Sequence, residues 1–143
     1  MAEQTTRAIG YIRRTLTTDT DSSNKTDIAT QRIRTYCTLN RITLVDILFD
    51  DARDASPDAR PTLRAALSAL ADGRADALIV PNLATLSRSI VALTPWIDEH
   101  FGERSPYALI SVLEQIDTRH ATGRLSLGIL SALSMFERGS RHA

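Results

Sequence analysis

The sequence predicts a three-layer α/β domain, with a mainly parallel sheet of four or five strands flanked by helices. Three observations carry that expectation. Short apolar runs alternate along the chain with segments whose apolar residues recur every three or four positions, the pattern of strand–helix–strand units. The run Ala77, Leu78, Ile79, Val80 has no polar residue to turn toward water, as a strand covered on both faces requires. The length of 143 residues suits a single domain with a substantial core.

Residues 8–13 read as the first strand. Residues 27–39 follow as a helix with Ile28, Ile33 and Tyr36 or Cys37 on its inner face. Residues 42–49 form a second strand. Pro61, whose ring presets the first helical turn, opens a helix with Leu63, Leu67 and Leu70 as its stripe, and Gly73 stops it. Residues 77–80 are the buried strand, and 87–101 a helix carrying Ile90, Leu93 and Ile97, with Pro95 marking a bend or a late start. Residues 107–113 supply a fourth strand and 122–138 a long final helix. Two stretches break the pattern and read as loops: 16–26, rich in Thr, Ser and Asp, and 50–59, with four aspartates and Pro57. In parallel sheets, sites form at the carboxyl ends of strands. Thr15, Asp51, residues 83–88 and Glu114 each follow a predicted strand, so the topology gathers them at one edge.

Composition narrows the functional classes. Basic and acidic residues number 17 each and net charge is zero, so no whole-chain positive field is available to hold nucleic acid by counterion release. DNA contact is therefore expected to be weak or indirect. Lys25 is the single lysine; the other basic residues are arginine, which suits bidentate phosphate contacts and also a GC-rich coding sequence. The lone Cys37 excludes an internal disulfide and, beside Tyr36 in a helical pattern, reads as a small core residue. No apolar run approaches membrane-spanning length and the polar start lacks a signal-peptide core, so a cytoplasmic protein without a membrane segment is expected. Asp50, Asp51, Asp54 and Asp58 have oxygen ligands for a divalent metal but read as a solvated acidic loop. His100 and His142 read as solvent-facing and His120 as a loop residue, since no acidic residue or Cys repeats a ligand spacing.

The motifs are more specific. Tyr11-Ile12-Arg13-Arg14-Thr15 closes the first strand. Phe49-Asp50-Asp51 and Arg60-Pro61-Thr62-Leu63 come next, followed by Leu86-Ser87-Arg88-Ser89. Glu114-Gln115-Ile116-Asp117-Thr118, Gly123-Arg124-Leu125 and Phe136-Glu137-Arg138 complete the series. In this order they resemble the N-terminal catalytic domain of the serine site-specific recombinases, the resolvase and invertase family, over about residues 7–138. The resemblance implies a domain that cleaves and exchanges DNA strands through a covalent protein–DNA phosphodiester. It places Thr15 at the nucleophile, Arg13, Arg60 and Arg88 around the phosphate, Asp51 at an acidic active-site position and Gln31 at a polar position on the first helix. It implies no cofactor and no metal.

Three positions depart from the family pattern. The nucleophile is Thr15 where the family has serine, and in Leu83-Ala84-Thr85-Leu86 the family's aspartate and first arginine are Ala84 and Thr85. Phosphodiester attack needs fixed positive charge where the phosphate oxygens gain charge, and losing one such stabiliser commonly costs about 100- to 1,000-fold in rate. The β-branch of Thr15 also restricts χ1 and places a methyl group beside the approaching phosphate. The expectation is a degenerate recombinase domain over residues 1–143, without a separate DNA-binding domain. It would act as an accessory or oligomerisation protein, paired with itself or a related recombinase. Leu125, Ile129, Leu130, Leu133 and Phe136, widened by Leu127 and Met135, supply an apolar stripe for that pairing on the final helix. One alternative is an active recombinase fragment that uses Thr15. Another is a small-molecule-binding α/β domain, against which the segment 15–20 has no glycine for a phosphate loop. An alternative role for the retained arginines is ion pairing with the acidic loop.

Overall fold

Ala77, Leu78, Ile79 and Val80 are all completely buried, which places their strand at the centre of the sheet. The computed structural model describes residues 5–14, 20–51 and 57–141. In chain order the elements are β1 (Arg7–Arg14), α1 (Thr20–Leu39), β2 (Thr43–Asp51), α2 (Pro61–Ala71), β3 (Ala77–Val80), α3 (Ile90–Phe101), β4 (Ala108–Ser111), β5 (Ile116–Asp117) and α4 (Ala121–Arg141). The sheet order is β2-β1-β3-β4-β5; the first four strands are parallel, and the two-residue β5 runs antiparallel to β4. A strand of two residues has no period to read, which is why β5 was not legible in the sequence.

The strand phase divides the core in two. Ile9, Tyr11, Leu78, Val80 and Leu109 meet α2 and α3 through Leu63, Leu70, Leu93, Trp96 and Phe101. Ala8, Ile12, Ala77, Ile79 and Ile110 face the opposite way and meet α1 through Ile33 and Cys37. Burial pushes the Cys37 thiol up from its ordinary range, consistent with a core residue. Ile28, expected on the inner face of α1, is instead 52% exposed. Its position is rotated away from the Ile33 and Cys37 side that docks on the sheet.

Helix ends follow the expected punctuation at α2. Pro61 is its first residue, and Gly73 at φ 79° lets the Arg74 N–H turn back to the Ala69 carbonyl at 3.0 Å. At α1 the expectation fails: residues 20–26, read as loop, are helical, and the rest of that loop lies outside the described residues. Those seven positions have no large apolar side chain to set a period, yet backbone hydrogen bonds can continue a helix whose later turns are docked. At α3, Ser89 caps the start by accepting the Ala92 N–H at 3.2 Å, and Pro95 lies inside the helix. His100 is not solvent-facing: it is half-buried, one turn after Trp96, with its ring centroid 4.8 Å from the indole.

The start of α4 rests on β5 at close range. A β-carbon added at Gly123 would lie 2.1 Å from the Asp117 carbonyl oxygen, a backbone atom that a rotamer change cannot move. Gly123→Ala is therefore expected to destabilise the domain by about 1–3 kcal/mol, as overpacking does. Thermal unfolding checks this, and an unchanged midpoint would show that α4 shifts freely on β5.

Candidate functional site

From β1 the chain crosses to β2 at one edge, then returns past β1 to β3 and on to β4. The order therefore reverses between β1 and β3, and the crevice beyond their carboxyl ends is where an open parallel sheet builds its site. A cavity of about 460 Å³ lies there. Ile12 and Arg13 line it from β1, Lys25, Ala29 and Arg32 from α1, and Pro81, Asn82 and Thr85 from the segment after β3.

The segment after β3 is a tight turn whose polar groups are largely paired within the protein. Asn82 accepts the Thr85 N–H at 2.9 Å and the Thr85 hydroxyl at 3.0 Å, so the threonine oxygen is engaged inside the turn. Glu114, from the turn after β4, accepts the Leu83 N–H at 3.1 Å and the Ser111 hydroxyl. Arg60 closes the turn from the other side. Arg60 is 5% exposed, and its guanidinium donates to the carbonyls of Thr85 and Leu86, each at 2.6 Å.

Beneath this turn is a buried polar network. Tyr11 donates its hydroxyl proton to Asp50 Oδ2 at 2.9 Å. The same carboxylate accepts the N–H groups of Thr62 at 3.1 Å and Leu63 at 3.0 Å, at the start of α2. Arg60 holds the N-cap position of that helix but has no side-chain oxygen to offer, so Asp50 supplies the cap from the neighbouring strand. Burial works to raise the Asp50 carboxyl, but hydrogen bonds from Thr62, Leu63 and Tyr11 outweigh it and hold the carboxyl below its usual range. Burial, reinforced by the Asp50 hydrogen bond, pushes Tyr11 up to about 12.

The residues singled out in the sequence are distributed unevenly around this edge. Arg13 lines the cavity, and Arg60 is bonded to the turn that also lines it. Arg88 follows that turn with an exposed side chain and no hydrogen bond or ion pair among the described residues. Thr15 lies outside the described residues. Asp51 ends β2 opposite Arg14 and is exposed, whereas its neighbour Asp50 is the buried acid. Gln31 does not line the cavity at all. It lines a larger groove of about 1010 Å³ between the outer face of α1 and the β4–β5 end of the sheet. That groove adjoins the cavity, sharing Ile28 and Arg32 with it, and its Asp117 is already paired with Arg119 at 2.6 Å.

The family model for the resolvase N-terminal domain matches residues 8–142. The chain belongs to the resolvase family. The fold agrees with that membership. The N-terminal catalytic domain of TP901-1 integrase superposes with a TM-score of 0.73 at 25% identity, over 94% of this chain and 98% of that one. A resolvase family site-specific recombinase from Streptococcus pneumoniae superposes with a TM-score of 0.66 at 15% identity, over 96% of this chain and 91% of that one. No curated protein matches the sequence.

This resolvase-family chain has site features that motif reading missed. Asp50 is one, and strand alternation was the available signal: Leu48 and Asp50 share the α2 side of β2, while Phe49 belongs to the α1 side. Lys25 and Arg32 are the others. Their spacing with Ala29 marks one face of α1, but only the docking of α1 on the sheet turns that face toward the cavity.

Proposed function

We propose that this serine recombinase-like domain does not exchange DNA strands by itself and works by association within DNA recombination complexes. The observation that carries the reading is the turn at residues 83–86. At the two positions where the resemblance puts an aspartate and an arginine it carries Ala84 and Thr85, and the Thr85 hydroxyl is held by Asn82. The Arg60 guanidinium is bonded to the carbonyls of that turn. Strand cleavage needs charge aimed at the reacting phosphate, and these groups are aimed at the protein. A nicked-duplex trap for covalent protein–DNA adducts tests this directly, and an adduct formed by the unaltered chain overturns it.

Helix α4 supports the associative half of the proposal. Leu127 is buried and Leu130 packs against the core. Leu125, Ile129, Leu133 and Phe136, at spacings of four, four and three, form a separate stripe that is 52–74% exposed. Met135 is exposed beside it. A stripe of this kind fits an isologous contact in which both copies use the same patch. Each Leu or Phe buried at such a contact contributes about 1.5–3 kcal/mol. Leu133→Glu with Phe136→Glu is therefore expected to weaken self-association by at least about a hundredfold. Light scattering over a concentration series reads this out. A strictly monomeric unaltered chain would leave a different recombinase as the partner.

Among the described residues no helix is long and apolar enough to cross a membrane.

A further inference from the structure

Three cations converge on the cavity at the carboxyl ends of β1 and β3. Arg13 reaches it from β1, and Lys25 and Arg32 from α1. Lys25, Ala29 and Arg32 are four and three residues apart, so they lie along one face of the helix. Thr26, Asn82 and Thr85 complete the polar lining. Among the described residues no carboxylate lines this cavity, and neither Lys25 nor Arg32 forms an ion pair.

Three arginines elsewhere on the surface are paired with a carboxylate. Arg7 meets Asp76 at 3.2 Å, Arg74 meets Asp72 at 3.2 Å and Arg119 meets Asp117 at 2.6 Å. Lys25 and Arg32 are like charges on one helix face and repel each other. A matching anion from outside removes the repulsion. The position agrees, since the sheet order reverses above this cavity and ligands of open parallel sheets bind there. Guanidinium and ammonium groups together favour a phosphate, whose oxygens accept a bidentate fork and a point charge at once.

We infer that Lys25 and Arg32 on α1 are phosphate-binding residues that, with Arg13, hold a nucleic-acid phosphodiester at this cavity. The nucleic-acid source rests on the proposed function above; the phosphate site itself does not. The two α1 cations place positive charge beside Thr85, which brings none of its own. The chain is thereby fitted to hold a strand that it does not cut.

The experiment has two arms, both on the full chain. In the first, fluorescence anisotropy with a short labelled duplex is measured over a salt series for the unaltered chain and for Lys25→Ala/Arg32→Ala. Each lost phosphate contact removes close to one counterion, so the slope of log K against log salt is expected to fall by about two. Arg64→Ala/Arg104→Ala, which lies away from the cavity, is expected to leave the slope unchanged. In the second arm, inorganic pyrophosphate is titrated against the arginine Nε–H resonances. Saturable shifts of Arg13 and Arg32 are expected in the unaltered chain, with the Arg13 shift lost in the double variant. Alanine favours helix and both sites are exposed, so circular dichroism should show the fold retained. DNA binding with an unchanged slope overturns the inference and leaves the DNA reading standing. Pyrophosphate binding at Arg13 and Arg32 without DNA binding keeps the phosphate site and removes its nucleic-acid source. Absence of both overturns both.

Discussion

Changing Thr15 to serine, Ala84 to aspartate and Thr85 to arginine together is expected to produce a covalent protein–DNA adduct that neither the unaltered chain nor Thr15→Ser alone forms. Two charged groups are missing from the turn after β3, and each such group is commonly worth about 100- to 1,000-fold, so their joint absence costs about four orders of magnitude or more. A serine alone cannot recover that. The turn accommodates the replacements at 84 and 85. Ala84 is exposed, so an aspartate there needs no new space. Thr85 is buried but lines the cavity of about 460 Å³, through which a longer side chain can reach solvent. The anchoring of the turn survives as well, because Arg60 bonds to the backbone carbonyls at 85 and 86 and not to the side chains. The assay is a denaturing gel with nicked or phosphorothioate-bearing duplex, using each chain fused to a sequence-specific DNA-binding domain. If the triple variant also fails, the residues at 15, 84 and 85 do not by themselves account for the proposed lack of cleavage.

Asp50→Ala is expected to have the largest effect on stability of any single polar substitution at the site. It leaves the buried Tyr11 hydroxyl without its acceptor, at about 1–3 kcal/mol, and removes the cap from α2, at about 0.5–2 kcal/mol. Together these give roughly 1.5–5 kcal/mol, a fall in Tm of roughly 5–17 °C for a chain of this size. The pH dependence has a definite sign. The folded Asp50 carboxyl is held below its ordinary value of 3.8, so its contribution is present above 3.8 and lost as pH falls through the lower folded value. Tyr11 works at the other end. Raised from 10.0 to about 12, it contributes fully below pH 10.0 and loses that contribution as pH rises through about 12. Asp50→Asn should therefore flatten the acid limb of the stability profile and leave part of it, because Arg7 also holds Asp76 low. Chemical denaturation across pH checks both limbs. An acid limb identical in the unaltered and Asn chains would remove Asp50 from the account.

How much of this was readable without the fold depends on the distance between cause and consequence along the chain. Local patterns gave reliable answers. The unbroken apolar run at 77–80 suited an interior strand and is one, Pro61 and Gly73 bracket α2 because of their own backbone preferences, and the ordered motifs identified the family. Elements without a local pattern stayed hidden, as with the first turns of α1 and the two residues of β5.

By itself, then, the sequence determined the α/β layering, the position of residues 83–88 and Glu114 just after strands, and the family the motifs resemble. The tertiary structure decided which neighbours act. Asp50 and Asp51 are chemically identical, and only the phase of β2 against α2 buries the first and exposes the second. Gln31 and Ala29 are two residues apart, a rotation of about 200° on a helix, so the docking angle of α1 sends one to the outer groove and the other to the cavity. Arg60 carries the same guanidinium wherever it lies, but its donors find carbonyls 25 and 26 residues away. On α4, the choice of Leu127 over Leu133 as the buried residue follows from where β5 and α3 meet the helix. Each outcome depends on contacts between distant segments, whose register and packing angle are set by the whole core, so no local window of the sequence contains them.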